Sequence, residues 1–292
     1  MIDPQQIAGG LAIGSVYGAV ALALVLIYRA TGVLNFAQGE MATFTTFIAW
    51  SLIVQVGMTY WLGFAITLVI AISLGAGIER VVIRPAHKAP HFALLVVTIG
   101  LFFLFNSITL RFWHSDARTF PTPFPAGSVR LFGADIAWVD IGILATSFAA
   151  MLVLAVVFRF SRIGLAMRGV TANKTAAALM GINTGRVLGL GWGLATGVGA
   201  VAGMLAANRL LLDPNMMQGV LLFAFAAAVV GGMTSPVGAV LGGLFMGVVN
   251  AVASSVSFIG SDLSTGVTFV AIVLILVIRP AGLLGRAAAV KV

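Results

Sequence analysis

Cysteine is missing from all 292 residues, which excludes disulfides and thiolate metal sites and says little about compartment. Charge is nearly as scarce. Asp, Glu, Lys and Arg make up 8% of the chain, where a soluble domain carries roughly a quarter, so a water-solvated globule is excluded. Three histidines, His87, His91 and His114, are too few and too scattered for a Ser-His-Asp or metal cluster, which argues against a membrane enzyme. There is no Gly-x-x-x-x-Gly-Lys-Ser/Thr loop, so the chain cannot cradle ATP phosphates itself. The first six residues carry no basic cluster, and no signal peptide is predicted.

Long apolar runs are what the chain has instead. Mean hydropathy is +1.13, and no charged residue occurs in 4–28, 41–78, 89–110, 141–158, 187–208, 214–261 or 263–278. A helix needs about 20 apolar residues to cross the ~30 Å hydrocarbon layer. The run 214–261 therefore holds two crossings divided at Gly231-Gly-Met-Thr-Ser-Pro236, and 41–78 divides at Gln55-Val-Gly-Met-Thr-Tyr60. The predicted fold is an all-α integral membrane protein of about nine spans, 7–28, 39–55, 61–79, 92–110, 138–158, 187–207, 219–233, 237–257 and 264–279. One integral membrane domain fills 1–292, and continuous rather than alternating apolarity argues against a barrel.

Charge sets the expected orientation. With loop 159–186 inside, the inner segments hold 12 basic residues and the outer ones four, the asymmetry of the positive-inside rule. The N-terminus is then outside and the C-terminus cytoplasmic, and the net charge of +8 answers to lipid rather than nucleic acid. The longest outer loop, 111–137, contains Phe120-Pro-Thr-Pro-Phe-Pro125 and is expected to be extended. Val-Ile-Arg-Pro occurs at 82–85 and 277–280, read as a stop signal in which Pro ends the helix. Gly10, Gly14 and Gly18, then Gly185, Gly189, Gly193 and Gly197, then Gly238 and Gly242 recur at helical spacing. Such faces suit close packing inside one bundle, or dimerisation.

Two segments stand apart. Arg29 to Glu40 is too short and apolar for a solvated loop, yet cannot continue the first helix. Asn35 and Gln38 have capping-box spacing, so Asn35, Phe36, Gln38, Gly39 and Glu40 predict a broken helix at a depth where protein or water must cover it. Half-helix ends of this kind face the substrate path in transporters. Glu40 is read either as a pathway group or as a first-turn acid favoured by the helix dipole, or a partner for Arg29. Gly231 and Gly232 mark a second break, after which Ser235 caps and Pro236 starts a helix.

The other segment is the polar loop 159–186. Asn173 is an expected N-cap, Lys174 to Met180 a short helix, Gly181 its left-handed terminator, and Asn183 or Thr184 the cap of the next span. Ala176, Ala177 and Ala178 keep that helix slim enough to enter a groove on another protein, flanked by Arg162 and Arg168.

Taken in order, these pieces resemble the permease subunits of branched-chain amino acid (LivH-type) ABC importers. The likeness rests on Gly10-Leu-Ala-Ile-Gly-Ser-Val-Tyr17, Gly32-Val-Leu-Asn35-Phe-Ala-Gln-Gly-Glu40, Arg84-Pro85, Thr98-Ile-Gly-Leu101 and Gly164-Leu-Ala-Met-Arg168. It continues through Asn173, Ala177 and Gly181-Ile-Asn183 to Phe225-Ala226, Gly231-Gly-Met, Gly238-Ala-Val-Leu-Gly-Gly243 and Arg279-Pro-Ala-Gly-Leu-Leu-Gly285.

The resemblance implies that Arg168, Asn173, Lys174, Ala177, Gly181, Ile182 and Asn183 belong to a coupling helix docking on an ATPase. It implies two ATPase subunits, a second similar permease and an extracytoplasmic substrate-binding protein as partners, no cofactor, and a bacterial inner membrane. Gln38 stands where that family usually has His, and Gly169 follows Arg168 where Ala is common, so no proton-linked role is carried to position 38. Members of the family also import urea, short amides or small carboxylates, which leaves the solute open. A self-powered secondary transporter is the competing reading, but it calls for ionisable groups inside spans that are here charge-free except near their ends.

Overall fold

The computed structural model describes residues 4–86, 90–131, 134–255 and, between 266 and 285, positions 266, 270, 272–275, 277–279 and 282–285. Helix follows the apolar runs. The order is α1 (Pro4–Thr31), α2 (Gln38–Trp50), α3 (Tyr60–Ile78), α4 (Arg84–Ala86), α5 (His91–Trp113) and α6 (Trp138–Phe160), then two short helices, α7 (Arg162–Ala172) and α8 (Lys174–Leu179). The chain continues through α9 (Thr184–Ala206), α10 (Met216–Gly231) and α11 (Pro236–Ser255).

Among the described residues, α1, the continuous run Tyr60–Ala86, α5, α6, α9 and α11 are long and apolar enough to cross a membrane. The shorter α2 and α10 have 13 and 16 residues. The expected span 264–279 falls largely outside the described residues, as does His87.

α1 and α9 are buried along most of their length. α1 lies against α11 on glycine: a Cβ at Gly14 would sit 2.9 Å from the Gly243 carbonyl oxygen, and one at Gly10 would sit 2.7 Å from the Ala251 Cβ. On α9, Gly193 faces Ile72 of α3, and Gly238 and Gly242 of α11 face α10. These stripes therefore serve packing within the chain, where small residues let backbones touch in lipid.

The first Val-Ile-Arg-Pro does not stop its helix. A π-helical turn, Glu79–Ile83, joins α3 to α4, and Pro85 lies inside α4. The π turn brings residues five apart together, so Arg84 pairs with the fully buried Glu79, Nη2 to Oε2 at 2.6 Å, and also donates to the Gly185 carbonyl at the start of α9 at 2.7 Å. Arg84 thus neutralises a buried acid and ties two helices.

The loop 111–137 is not wholly extended either. It contains an antiparallel hairpin of β1 (Ser128–Leu131) and β2 (Ala134–Ala137). Arg118 pairs by backbone with Leu212 and lies 4.5 Å from the Trp50 ring. Asp140, in the first turn of α6, accepts from Arg209 beyond α9.

Candidate functional site

In the break after α1, Val33, Asn35 and Ala37 are buried while Gly32 is exposed. Asn35 Oδ1 accepts from the Ala37 amide at 3.1 Å, and Asn35 Nδ2 donates to Gln38 Oε1 at 3.1 Å. This differs from the predicted capping box. Ala37 is the N-cap and makes no side-chain bond. Gln38 does not reach back to the Asn35 backbone; its Nε2 donates across to the Ala195 carbonyl of α9 at 3.0 Å. The Thr98 hydroxyl of α5 donates to the Leu34 carbonyl at 3.2 Å. Phe36 stacks on Phe225, their rings 6.3 Å apart, and Gly39 packs against the Met217 backbone of α10.

At 1.5 Å per residue, Ala195 lies about 16 Å along α9 from its start. The break is therefore far from either helix end, and α2 begins there rather than at a surface.

Glu40, in the first turn of α2 and 1% exposed, ends up between three helices. Asn106 of α5 donates to Oε2 and Gln218 of α10 to Oε1, each at 3.2 Å. Both amides also donate to Asn215 Oδ1, at 3.0 and 2.8 Å. Arg29 is not its partner: no ion pair of Glu40 or Arg29 occurs among the described residues. The acid is held by the α2 N-terminus and by neutral amides, which suits a carboxylate at a positive helix end. Thr43, one turn on, has a buried hydroxyl without a partner in the described structure.

Asn106, Asn215 and Gln218 keep exposed or half-exposed surface beside the half-buried Asp213, whose Oδ1 accepts from the Asn215 amide at 2.8 Å.

Gly231 and Gly232 are not part of this junction. They close the turn between α10 and α11, with Gly232 at φ 105 and the Leu283 and Leu284 amides donating to the Val230 and Gly231 carbonyls at 2.7 and 3.1 Å. Ser235 accepts from the Gly238 amide at 3.0 Å and Pro236 opens α11, as expected.

The loop 159–186 is more structured than a single short helix. Ser161 caps α7 through the Gly164 amide at 3.0 Å. Asn173 is a shared cap: its amide closes α7 on the Gly169 carbonyl, and its Oδ1 accepts from Ala176 at 2.9 Å to open α8. Gly181, at φ 82, then ends α8 in a Schellman arrangement, with Ile182 donating to Ala177 and Gly181 to Ala178. Asn183 Oδ1 accepts from Arg186 at 3.0 Å and caps α9. Lys174 is exposed, and Arg168 donates to the Phe158 and Arg159 carbonyls at the end of α6.

Ala177 does not face outward; it is 5% exposed and packs with Met167, Val170, Val187 and Leu188 of the chain itself. The outward face of this element is Leu179, 85% exposed, and Met180, 82% exposed.

The family described as branched-chain amino acid transport system permease component matches residues 6–278. The high-affinity branched-chain amino acid transport system permease proteins LivH of Salmonella typhimurium and of Escherichia coli K12 are each 33% identical over 99% of this chain and 97% of their own. The corresponding BraD of Pseudomonas aeruginosa is 31% identical over the same shares.

Proposed function

The chain belongs to the family of permease components of branched-chain amino acid transport systems, and we propose that it forms half of the translocation path of an ABC importer. The solutes would be branched-chain or other small amino acids, and the setting a bacterial inner membrane. The observation that carries this reading is the amide face of Asn106, Asn215 and Gln218 gathered on the buried Glu40. Neutral amides offer exchangeable hydrogen bonds to a zwitterion without trapping it. Glu40 positions the amides, and a second permease of the same family covers the face.

In this reading the α7–α8 side lies in the cytoplasm, supported by the 12 basic residues that the arrangement assigns there, and the nine expected crossings include the short α2 and α10. An extracytoplasmic binding protein docks on the outer loops, and two ATPase subunits dock on α8. Their closure on ATP presses Leu179 and Met180. The load passes through Ala177 to α7 and α9, and α9 holds the broken helix by the Gln38 to Ala195 bond. The pull on α2 shifts Glu40 and the amides it carries.

Because the chain lacks cysteine, Leu179→Cys supplies a unique label. A membrane-impermeant maleimide should modify it in inverted vesicles and not in intact spheroplasts, and labelled leucine uptake should require ATP hydrolysis by a partner. Labelling from the outside, or leucine movement by the purified chain alone, overturns the proposal.

A further inference from the structure

A crevice of 320 Å³ opens between the last turns of α1, the end of α6, α7 and the first residues of α11. Its lining is mostly apolar, with Leu22, Leu26 and Leu154 among it, and includes three arginines, Arg29, Arg159 and Arg168. No carboxylate lines it. Among the described residues the ion pairs use Arg84 and Arg209, so none of these three arginines has an acidic partner. Arg168 is already oriented by the α6 carbonyls, and Arg159 lies 5.5 Å from the Phe160 ring. Glu79, the described acid of this end of the bundle, is buried and taken by Arg84.

An ordinary basic loop explains scattered arginines. It does not explain three of them lining one mostly apolar slot. The missing ligand has to be anionic at one end and hydrocarbon at the other. We propose that the crevice binds an anionic phospholipid, with its phosphate between Arg29 and Arg159 and the upper part of an acyl chain over Leu22, Leu26 and Leu154. Guanidinium matches phosphate in geometry as well as charge, and basic pockets between membrane helices take such headgroups. A free phosphate would satisfy the arginines and leave the apolar lining uncovered.

A lipid seated there joins α1, α6 and α7, and so supports the surface on which α8 rests. Naming the leaflet as the inner one rests on the orientation proposed above. Binding itself does not.

The test uses the purified full chain with whatever subunits accompany it, read by native mass spectrometry and thermal melting. Probes are phosphatidylglycerol, phosphatidylcholine of identical chains, and inorganic phosphate. Phosphatidylglycerol should be retained and raise the melting temperature, the other two should do neither, and Arg29→Gln with Arg159→Gln should cut occupancy at least tenfold. Ala155→Trp, which fills the slot and keeps every charge, should have the same effect. Equal retention of the two lipids, unchanged occupancy in either variant, or full competition by inorganic phosphate overturns the assignment. These readouts involve neither ATP nor uptake, so absence of an ATPase partner would defeat the importer reading and leave this one standing.

Discussion

Leu179→Asp separates the two faces of the short loop helix. Leu179 and Met180 are 85% and 82% exposed, Ala177 is 5% exposed, and only the first two are available to a partner. Full burial of a leucine side chain contributes about 1.5–3 kcal/mol. At about 1.4 kcal/mol per decade, its loss weakens docking about 10- to 150-fold, and desolvating the new carboxylate adds to this. The change costs the fold little: Leu179 is exposed, and an acid in the last turn of a helix costs about 0.3–1 kcal/mol against its dipole. Membrane insertion and thermal melting should therefore match wild type while ATPase copurification and leucine uptake fall at least tenfold. Ala177→Arg should behave differently. It forces a charged side chain among Met167, Val170, Val187 and Leu188, and overpacking alone costs about 1–3 kcal/mol, so melting drops along with transport. Wild-type coupling in Leu179→Asp, with a stable but uncoupled Ala177→Arg, would refute the facing described here.

Three other outcomes are expected. Arg84→Met leaves Glu79 buried and unpaired, a loss of about 3–5 kcal/mol, whereas Glu79→Met with Arg84→Met should recover most of the melting temperature; equal destabilisation of both would contradict a paired role. Gly243→Val drives a Cβ into the Gly18 backbone and should sharply reduce the yield of folded protein in detergent, an outcome that size-exclusion profiles read directly. Glu40→Gln keeps the shape and removes the charge that strengthens two amide bonds, so leucine uptake should fall several-fold and less than in Leu179→Asp; complete loss with assembly intact would make Glu40 itself a solute contact.

Local chemistry was legible in the sequence where a cap or a break needs only near neighbours. Asn173, Gly181, Asn183 and the Ser235–Pro236 pair act within four residues of themselves, and their roles follow from spacing. What depended on distant segments was not. Gln38 has capping spacing, yet its amide is claimed by Ala195, and Glu40 is held from positions 106 and 218. The inward turn of Ala177 needs α7, whose start at Ser161 carries a serine cap that goes unnoticed beside the basic residues. Arg84 reads as a stop because the π turn that aligns it with Glu79 has no signature in composition. The hairpin in loop 111–137 is likewise set by pairing, Val129 opposite Ile136, rather than by an alternating run long enough to recognise.

The glycine contact between α1 and α11 has a mechanical consequence. Two backbones in direct contact have no side chains that can exchange rotamers or slide past one another, so this pair cannot shear by small steps. Gly238 and Gly242 bring α11 equally close to the α10 backbone, so in any cycle of states α1, α10 and α11 travel as a single strut, and the bending is left to α2.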